Sequence, residues 1–281
     1  MLKVVEAFSG IGAQKQALEK LNIEHEIINT IEWDINAIYA YDIMHHNDNS
    51  PSKLSKHEII ERLANVTLSP DGKKPFSDNG LYRIKEEKLQ KLYAAIRRNN
   101  NLCDITQVSG DMIPDDTDLL TYSFPCQDLS IGSVWYNKDN DGIRKGAKTR
   151  SGLLWEIERI LRERIMINVP LPKFLLMENV NAITSPKHNP NFVQWQEELE
   201  SMGYTNKVYK GLNALDFGVP QSRSRTFMLS IRNKDIEPEE ISNLNYNIQS
   251  NLGDYLRFNH KEEIIEATPN YTPSRIKIYN Q

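Results

Sequence analysis

The feature that most constrains this chain is the order of its apolar runs. It opens with "LKVVEAF", a turn "SGIGA", a helix-forming "QKQALEKL", and a second run "HEIINTIEWD" that ends in acids. Strand, glycine turn, helix and a strand closed by an acid describe the first half of a nucleotide-binding βαβ unit. Glycine serves any tight turn, so Gly10 and Gly12 alone specify little. Glu32 lies about 20 residues beyond the turn, where a carboxylate that takes ribose hydroxyls is required. Alternation resumes later, with "DLLTYSF", "KFLLMENV" and "RTFMLSIR" as strands and "GLLWEIERILRERI" and "NFVQWQEELESMGY" as helices. Such alternation predicts an α/β fold with a doubly wound, mostly parallel sheet.

Between the two blocks, from about residue 45 to 101, the chain turns polar. "SKHEIIERLANV" reads as a capped amphipathic helix, and "RIKEEKLQKLYAAIRRNN" sets Leu89, Leu92, Tyr93 and Ile96 on one face. "TLSPDGKKPFSDNG" between them is turn-rich loop. This is a helical insertion; its basic residues Lys85, Lys88, Lys91, Arg97 and Arg98 could touch phosphate, but a solvated helix face is the preferred reading. After Arg232 the pattern decays. The expected division is a catalytic domain over 1–232 and an extension over 233–281.

Hydrophobic residues make up 39% of the 281, enough for a core. Two cysteines exclude a disulfide scaffold and suit a reducing, cytoplasmic compartment. No long apolar segment predicts a membrane span, and the N-terminal run carries Glu6, which suits no signal peptide. A net charge of −4 gives no general attraction to nucleic acid, so any such contact must be local or come from another chain.

The chemistry concentrates at strand ends. Cys126 follows Pro125 directly after "DLLTYSF"; it is either a small buried hydrophobe or a thiol displayed at the edge of an open sheet. Glu178 ends "KFLLMENV", and Arg223 and Arg225 lie in "VPQSRSRTF". The carboxyl ends of parallel strands share one edge, so Cys126 and Glu178 are expected to face one cleft. A thiol, a carboxyl and two guanidiniums suit attack on an electron-poor heterocycle. The thiolate adds to a ring carbon, the carboxyl stabilises or protonates a ring nitrogen, and an arginine holds a carbonyl oxygen.

"AFSGIGAQKQAL", "IEWD", "DITQV", "FPCQDLS", "LLMENV" and "LNALDFGVPQSRSRTFML" resemble, in order and spacing, the blocks of the DNA (cytosine-5) methyltransferases. The resemblance runs from the N-terminus to about Arg232. It implies S-adenosylmethionine over the glycine turn, with Phe8 and Trp33 against the adenine and the backbone of Gly10, Ile11 and Gly12 near the methionyl part. Glu32 would take the ribose, Asp104 and Ile105 the adenine edge, and Pro125 and Leu153 would complete the pocket. Two family glycines are replaced, by Ala13 and by Cys103. In the implied mechanism Cys126 attacks C6 of a cytosine rotated out of the duplex. Glu178 meets N3 and the exocyclic amine, Arg225 meets O2, and Arg223 supports the site. No metal is implied.

The segment after the cysteine is similar to the family's basic, glycine-rich DNA-contacting loop. The residues implied are Gln127, Ser130, Lys138, Arg144, Lys145, Lys148 and Arg150. The family's target-recognition region and the closing helix beside the cofactor pocket find no counterpart, and the tail from Asn233 to Gln281 is too short for both. The expected partners are therefore double-stranded DNA and a second protein chain carrying those parts. A truncated or degenerate form, a non-catalytic accessory subunit and a tRNA cytosine-5 methyltransferase are the competing readings. A prokaryotic or phage-encoded cytoplasmic enzyme, of the kind found in restriction-modification systems, is expected.

Overall fold

The computed structural model describes residues 1–47, 49–126, 129, 142–147, 149–232 and 236. The expectation for residues 233–281 lies outside these, apart from Ile236. By contacts the chain falls into two compact units, Met1–Leu212 with Ser224–Glu240, and Asn213–Arg223 with Ile241–Gln281.

The first unit is built on a sheet whose strands are β1 (Leu2–Ala7), β2 (His25–Ile31), β3 (Leu119–Tyr122), β4 (Phe174–Val180), β5 (Thr205–Asn213) and β6 (Ser224–Ile231). Their spatial order is β2-β1-β3-β4-β6-β5. β1 runs parallel to β2 and β3, and β3 parallel to β4. β6 alone is paired antiparallel to β4, with Val180 opposite Arg225 and Glu178 opposite Phe227. The start of β6, not its end, therefore reaches the edge where β1 to β4 finish. Every residue of β3 is buried, as a central strand covered on both faces must be.

The helices are α1 (Ala13–Lys20), α2 (Ile35–His45), α3 (Lys56–Arg62), α4 (Glu86–Arg98), α5 (Leu154–Met166) and α6 (Asn189–Ser201). α5 and α6 share the main core with β3 and β4, through Leu154, Ile157, Leu161, Phe192, Trp195 and Leu199. Trp195 meets Trp155 edge-on with ring centres 5.7 Å apart, and its N–H donates to the Tyr122 hydroxyl (3.2 Å).

The insertion holds a second core. Ile59 and Ile60 of α3, Leu89, Leu92 and Ile96 of α4, and Ile35 and Ile38 of α2 enclose one another there, with Cys103 at the margin. α3 starts with the expected capping box of Ser55 and Glu58. The basic residues of α4 are partly engaged: Arg98 pairs with the buried carboxylate of Asp42 (2.9 Å), Lys91 with Glu87 (2.8 Å), and Lys88 lies over the Tyr39 ring.

Two elements carry no strong sequence signal. α2 begins where "IEWD" reads as strand; Asp34 is its N-cap and accepts from the Asn36 N–H (2.9 Å). β5 is an edge strand in which no residue is fully buried, so it lacks an apolar rhythm. Among the described residues no helix is long and apolar enough to cross a membrane.

Candidate active site

The edge where β1 to β4 end is also where the chemistry gathers. The turn after β1 holds Phe8 and Gly12 in left-handed backbone, with φ of 56° and 81°. A side chain on Gly12 would collide with α2, since a Cβ there would lie 2.2 Å from His45 and 2.7 Å from Tyr41. His45 Nε2 donates to the Ile11 carbonyl (2.9 Å), so the turn is held from behind. Deeper, the fully buried Glu6 accepts from the Tyr41 hydroxyl (2.6 Å) and the Lys15 N–H (2.8 Å). Burial raises the Glu6 carboxyl above the usual carboxylate range.

Glu32 ties this turn to the end of β2. One carboxylate oxygen accepts from Gly10 N–H (3.0 Å), the other from the N–H groups of Trp33 (2.9 Å) and Asp34 (2.8 Å). Burial raises its pKa, and the three backbone donors pull against that rise. An orientation fixed this way leaves remaining acceptor capacity on the Gly10-bound oxygen.

A cavity of about 460 Å³ opens in front of these groups. Phe8, Glu32, Trp33, Asp104, Ile105, Pro125 and Leu153 line it, seven of the residues expected to hold the cofactor. Gly10, Ile11 and Gly12 are not on its wall; Gly10 and Ile11 act behind it, through Glu32 and His45. Asp104 caps the short turn Ile105–Gln107 with one oxygen (Thr106 N–H, 3.0 Å) while lining the cavity. Cys103 stands in left-handed backbone (φ 64°), which accounts for the glycine in the related pattern. Its buried thiol donates to the Asn101 carbonyl (3.6 Å) and is pushed up to about 12 by burial.

Asp71, Gly72, Lys73, Ser123, Thr149 and Arg150 also line the cavity and were not expected there. Asp71 to Lys73 belong to the insertion. Composition gives no means of placing a polar loop against a distant turn.

Ser123 and Pro125 line the cavity; Cys126, next along the chain, is half-buried and is not on its wall. The path from β3 to this cysteine is fastened at two points. The buried Asn179 donates to the Phe124 carbonyl (3.0 Å) and accepts from Val180 N–H (2.9 Å). Ser151 donates its hydroxyl proton to the Pro125 carbonyl (2.7 Å). Next to Asn179, Glu178 forms an ion pair with Arg225 (3.0 Å). That contact follows from the antiparallel register, which makes the two residues diagonal neighbours on one face.

Of the basic residues expected on a DNA-contacting loop, Lys145 is engaged elsewhere. It bridges Glu158 (2.9 Å) and Glu198 (2.8 Å) and lies over the Trp155 ring. Arg150 donates to the Gly72 carbonyl (2.7 Å). Arg144 is described at an exposed position. Gln127, Ser130, Lys138 and Lys148 lie outside the described residues. Arg223 falls in the second unit, where its backbone bonds Asn213 and Ala214. No cluster able to hold a metal ion occurs among the described residues.

Residues 81–281 match the family described as C-5 cytosine-specific DNA methylase. The chain belongs to that family. It is 43% identical over 243 residues to the orphan methyltransferase M.SssI of Spiroplasma monobiae, covering 84% of this chain and 61% of the relative. It is 38% identical over 237 residues to the type II methyltransferase M2.ScrFI of Lactococcus lactis, covering 83% and 62%. The chain thus spans about three fifths of the length of these relatives. The solved structure of the S. pombe Dnmt2 methyltransferase overlays 85% of this chain and 53% of its own, with a TM-score of 0.51 at 21% identity. That likeness bears on the fold, a mostly parallel α/β sheet with helices.

Proposed function

We propose that this chain supplies the cofactor pocket and the nucleophile of an enzyme that methylates C5 of a cytosine in DNA, with S-adenosylmethionine as methyl donor. One observation carries the reading: Pro125 lines the cavity and is followed directly by Cys126, which places the thiol next to the cofactor pocket at the exit of one strand.

The cavity's chemistry fits S-adenosylmethionine. Phe8 and Trp33 offer aromatic surface for adenine, Glu32 a fixed acceptor for a ribose hydroxyl, and Asp104 a carboxylate for the exocyclic amine. The cofactor, when bound, contributes an electrophilic methyl group. The rest is done by this chain. Cys126 attacks C6 of a base extruded from the duplex, because C6 is inaccessible within the stack. Glu178 protonates N3 as the bond to C6 forms, Arg225 holds O2, and C5 becomes nucleophilic. C5 then takes the methyl group that the cofactor would supply; loss of the C5 proton to a base or water, with return of the N3 proton to Glu178, reforms the C5–C6 double bond and expels the Cys126 thiolate. Glu178 is paired with Arg225 in the free protein, so an entering base separates that pair, and Glu178 must take up a proton before it donates to N3.

Target recognition is assigned to a second polypeptide. This is supported by α1, none of whose residues is fully buried, and by the exposed Ala13 and Ala17 on it with the exposed Leu21 at its C-cap, at i, i+4 and i+8. The net charge of −4 points the same way. The test is methyl transfer from labelled cofactor to genomic DNA by this chain alone. Slow transfer without sequence preference, absent in Cys126→Ser, is expected. Robust sequence-specific transfer would refute the second chain; transfer by Cys126→Ser would refute the nucleophile.

A further inference from the structure

Residues Ser69–Lys74 leave the insertion as a tight arch and return to it. Ser69, fully buried, joins the segment between β2 and α2: its N–H donates to the Trp33 carbonyl (2.8 Å) and its own carbonyl accepts from Ile35 N–H (3.0 Å). Asn36 donates its side-chain amide to the Pro70 carbonyl (2.9 Å). Within the arch, Asp71 accepts from the N–H groups of Lys73 (2.9 Å) and Lys74 (3.2 Å), and the Ser69 hydroxyl donates to the Lys74 carbonyl (2.6 Å). At its crown Gly72 has φ +66°, and a Cβ there would stand 3.0 Å from an Asp34 carboxylate oxygen. Its carbonyl accepts from the Arg150 guanidinium (2.7 Å).

The arch is thus pinned on one side to the backbone of Trp33 and on the other to Arg150. Asp71, Gly72, Lys73 and Arg150 all line the same cavity as Trp33 and Asp34. Backbone held at both ends by hydrogen bonds, with its carboxylate spent on its own turn, is a rigid wall.

We propose that this arch is a wall of the cofactor site and that Arg150 is the latch that keeps it closed, so the insertion serves cofactor retention. This rests on the cofactor reading given above. Arg150 is then a positioning residue: it acts through Gly72 on how long the adenosyl group stays.

The test is calorimetry and stopped-flow dissociation of S-adenosylmethionine from the full chain without DNA, for Arg150→Ala, Gly72→Ala and Trp33→Ala, with thermal denaturation of each ligand-free variant. Loss of one charge-assisted bond predicts about tenfold weaker binding for Arg150→Ala, in the dissociation rate more than the association rate. Arg150→Lys, which keeps a donor, should recover part of it. Gly72→Ala should weaken binding similarly, and Trp33→Ala more. If Gly72→Ala lowers the melting temperature of the free chain, Arg150→Ala decides. Weak binding by Trp33→Ala with wild-type binding by Arg150→Ala overturns the latch and leaves the pocket assignment intact. Wild-type binding by all the variants overturns both.

Discussion

Two cysteines separate at the residue scale. Cys126 follows the exit of a core strand and is half-buried; Cys103 is buried in left-handed backbone with its proton on the Asn101 carbonyl. The thiolate is the reactive form, and with the Cys103 thiol held at about 12 its thiolate fraction at pH 7 is on the order of 10⁻⁵. Iodoacetamide on the native chain at that pH should therefore modify Cys126 and spare Cys103, with Cys103 reacting only after denaturation. Native labelling of Cys103 at a comparable rate would contradict its placement. The sequence made Cys126 a candidate through its position after Pro125, and left its burial open. The hold on it, from Asn179 and Ser151, was not readable, because neither residue type signals a partner far along the chain.

At the scale of elements, legibility followed periodicity. α4 and α5 show an apolar stripe and were readable as helices. α2 was not, because it packs both against the glycine turn, through Tyr41 and His45, and within the insertion core, through Ile35 and Ile38. Helices enclosed on two sides lose the polar face on which periodicity depends. The antiparallel entry of β6 was also beyond the sequence, since an apolar run carries no direction. The junction of β3 and β4 offers a test at this scale. Asn179→Ala leaves the Phe124 carbonyl and Val180 N–H without their partner, a loss of roughly 1–3 kcal/mol in urea unfolding. It should also slow methyl transfer while S-adenosylmethionine affinity stays near wild type, because Asn179 is remote from Trp33 and Glu32 along the sheet edge. Equal loss of both would place Asn179 in general stability alone.

For the whole molecule, the sheet gathers at one edge what the sequence spreads over nearly two hundred residues: Glu32, Asp104, Cys126, Glu178 and Arg225. Three of these stand at the carboxyl ends of parallel strands or just beyond them, as alternation predicts; Arg225 arrives by the reversed strand. The proposed chemistry turns on a bond between Cys126 and a cytosine ring carbon. Duplex DNA carrying 5-fluorocytosine gives the direct measurement, because fluorine at C5 cannot leave as the proton does and the thioether persists. With S-adenosylmethionine present and DNA concentrated enough to offset weak binding by this acidic chain, a denaturation-resistant adduct should form. Peptide mass mapping should place it on Cys126, and Cys126→Ser should form none while Cys103→Ser forms it normally. No adduct under these conditions, or an adduct that survives in Cys126→Ser, would rule out Cys126 as the nucleophile.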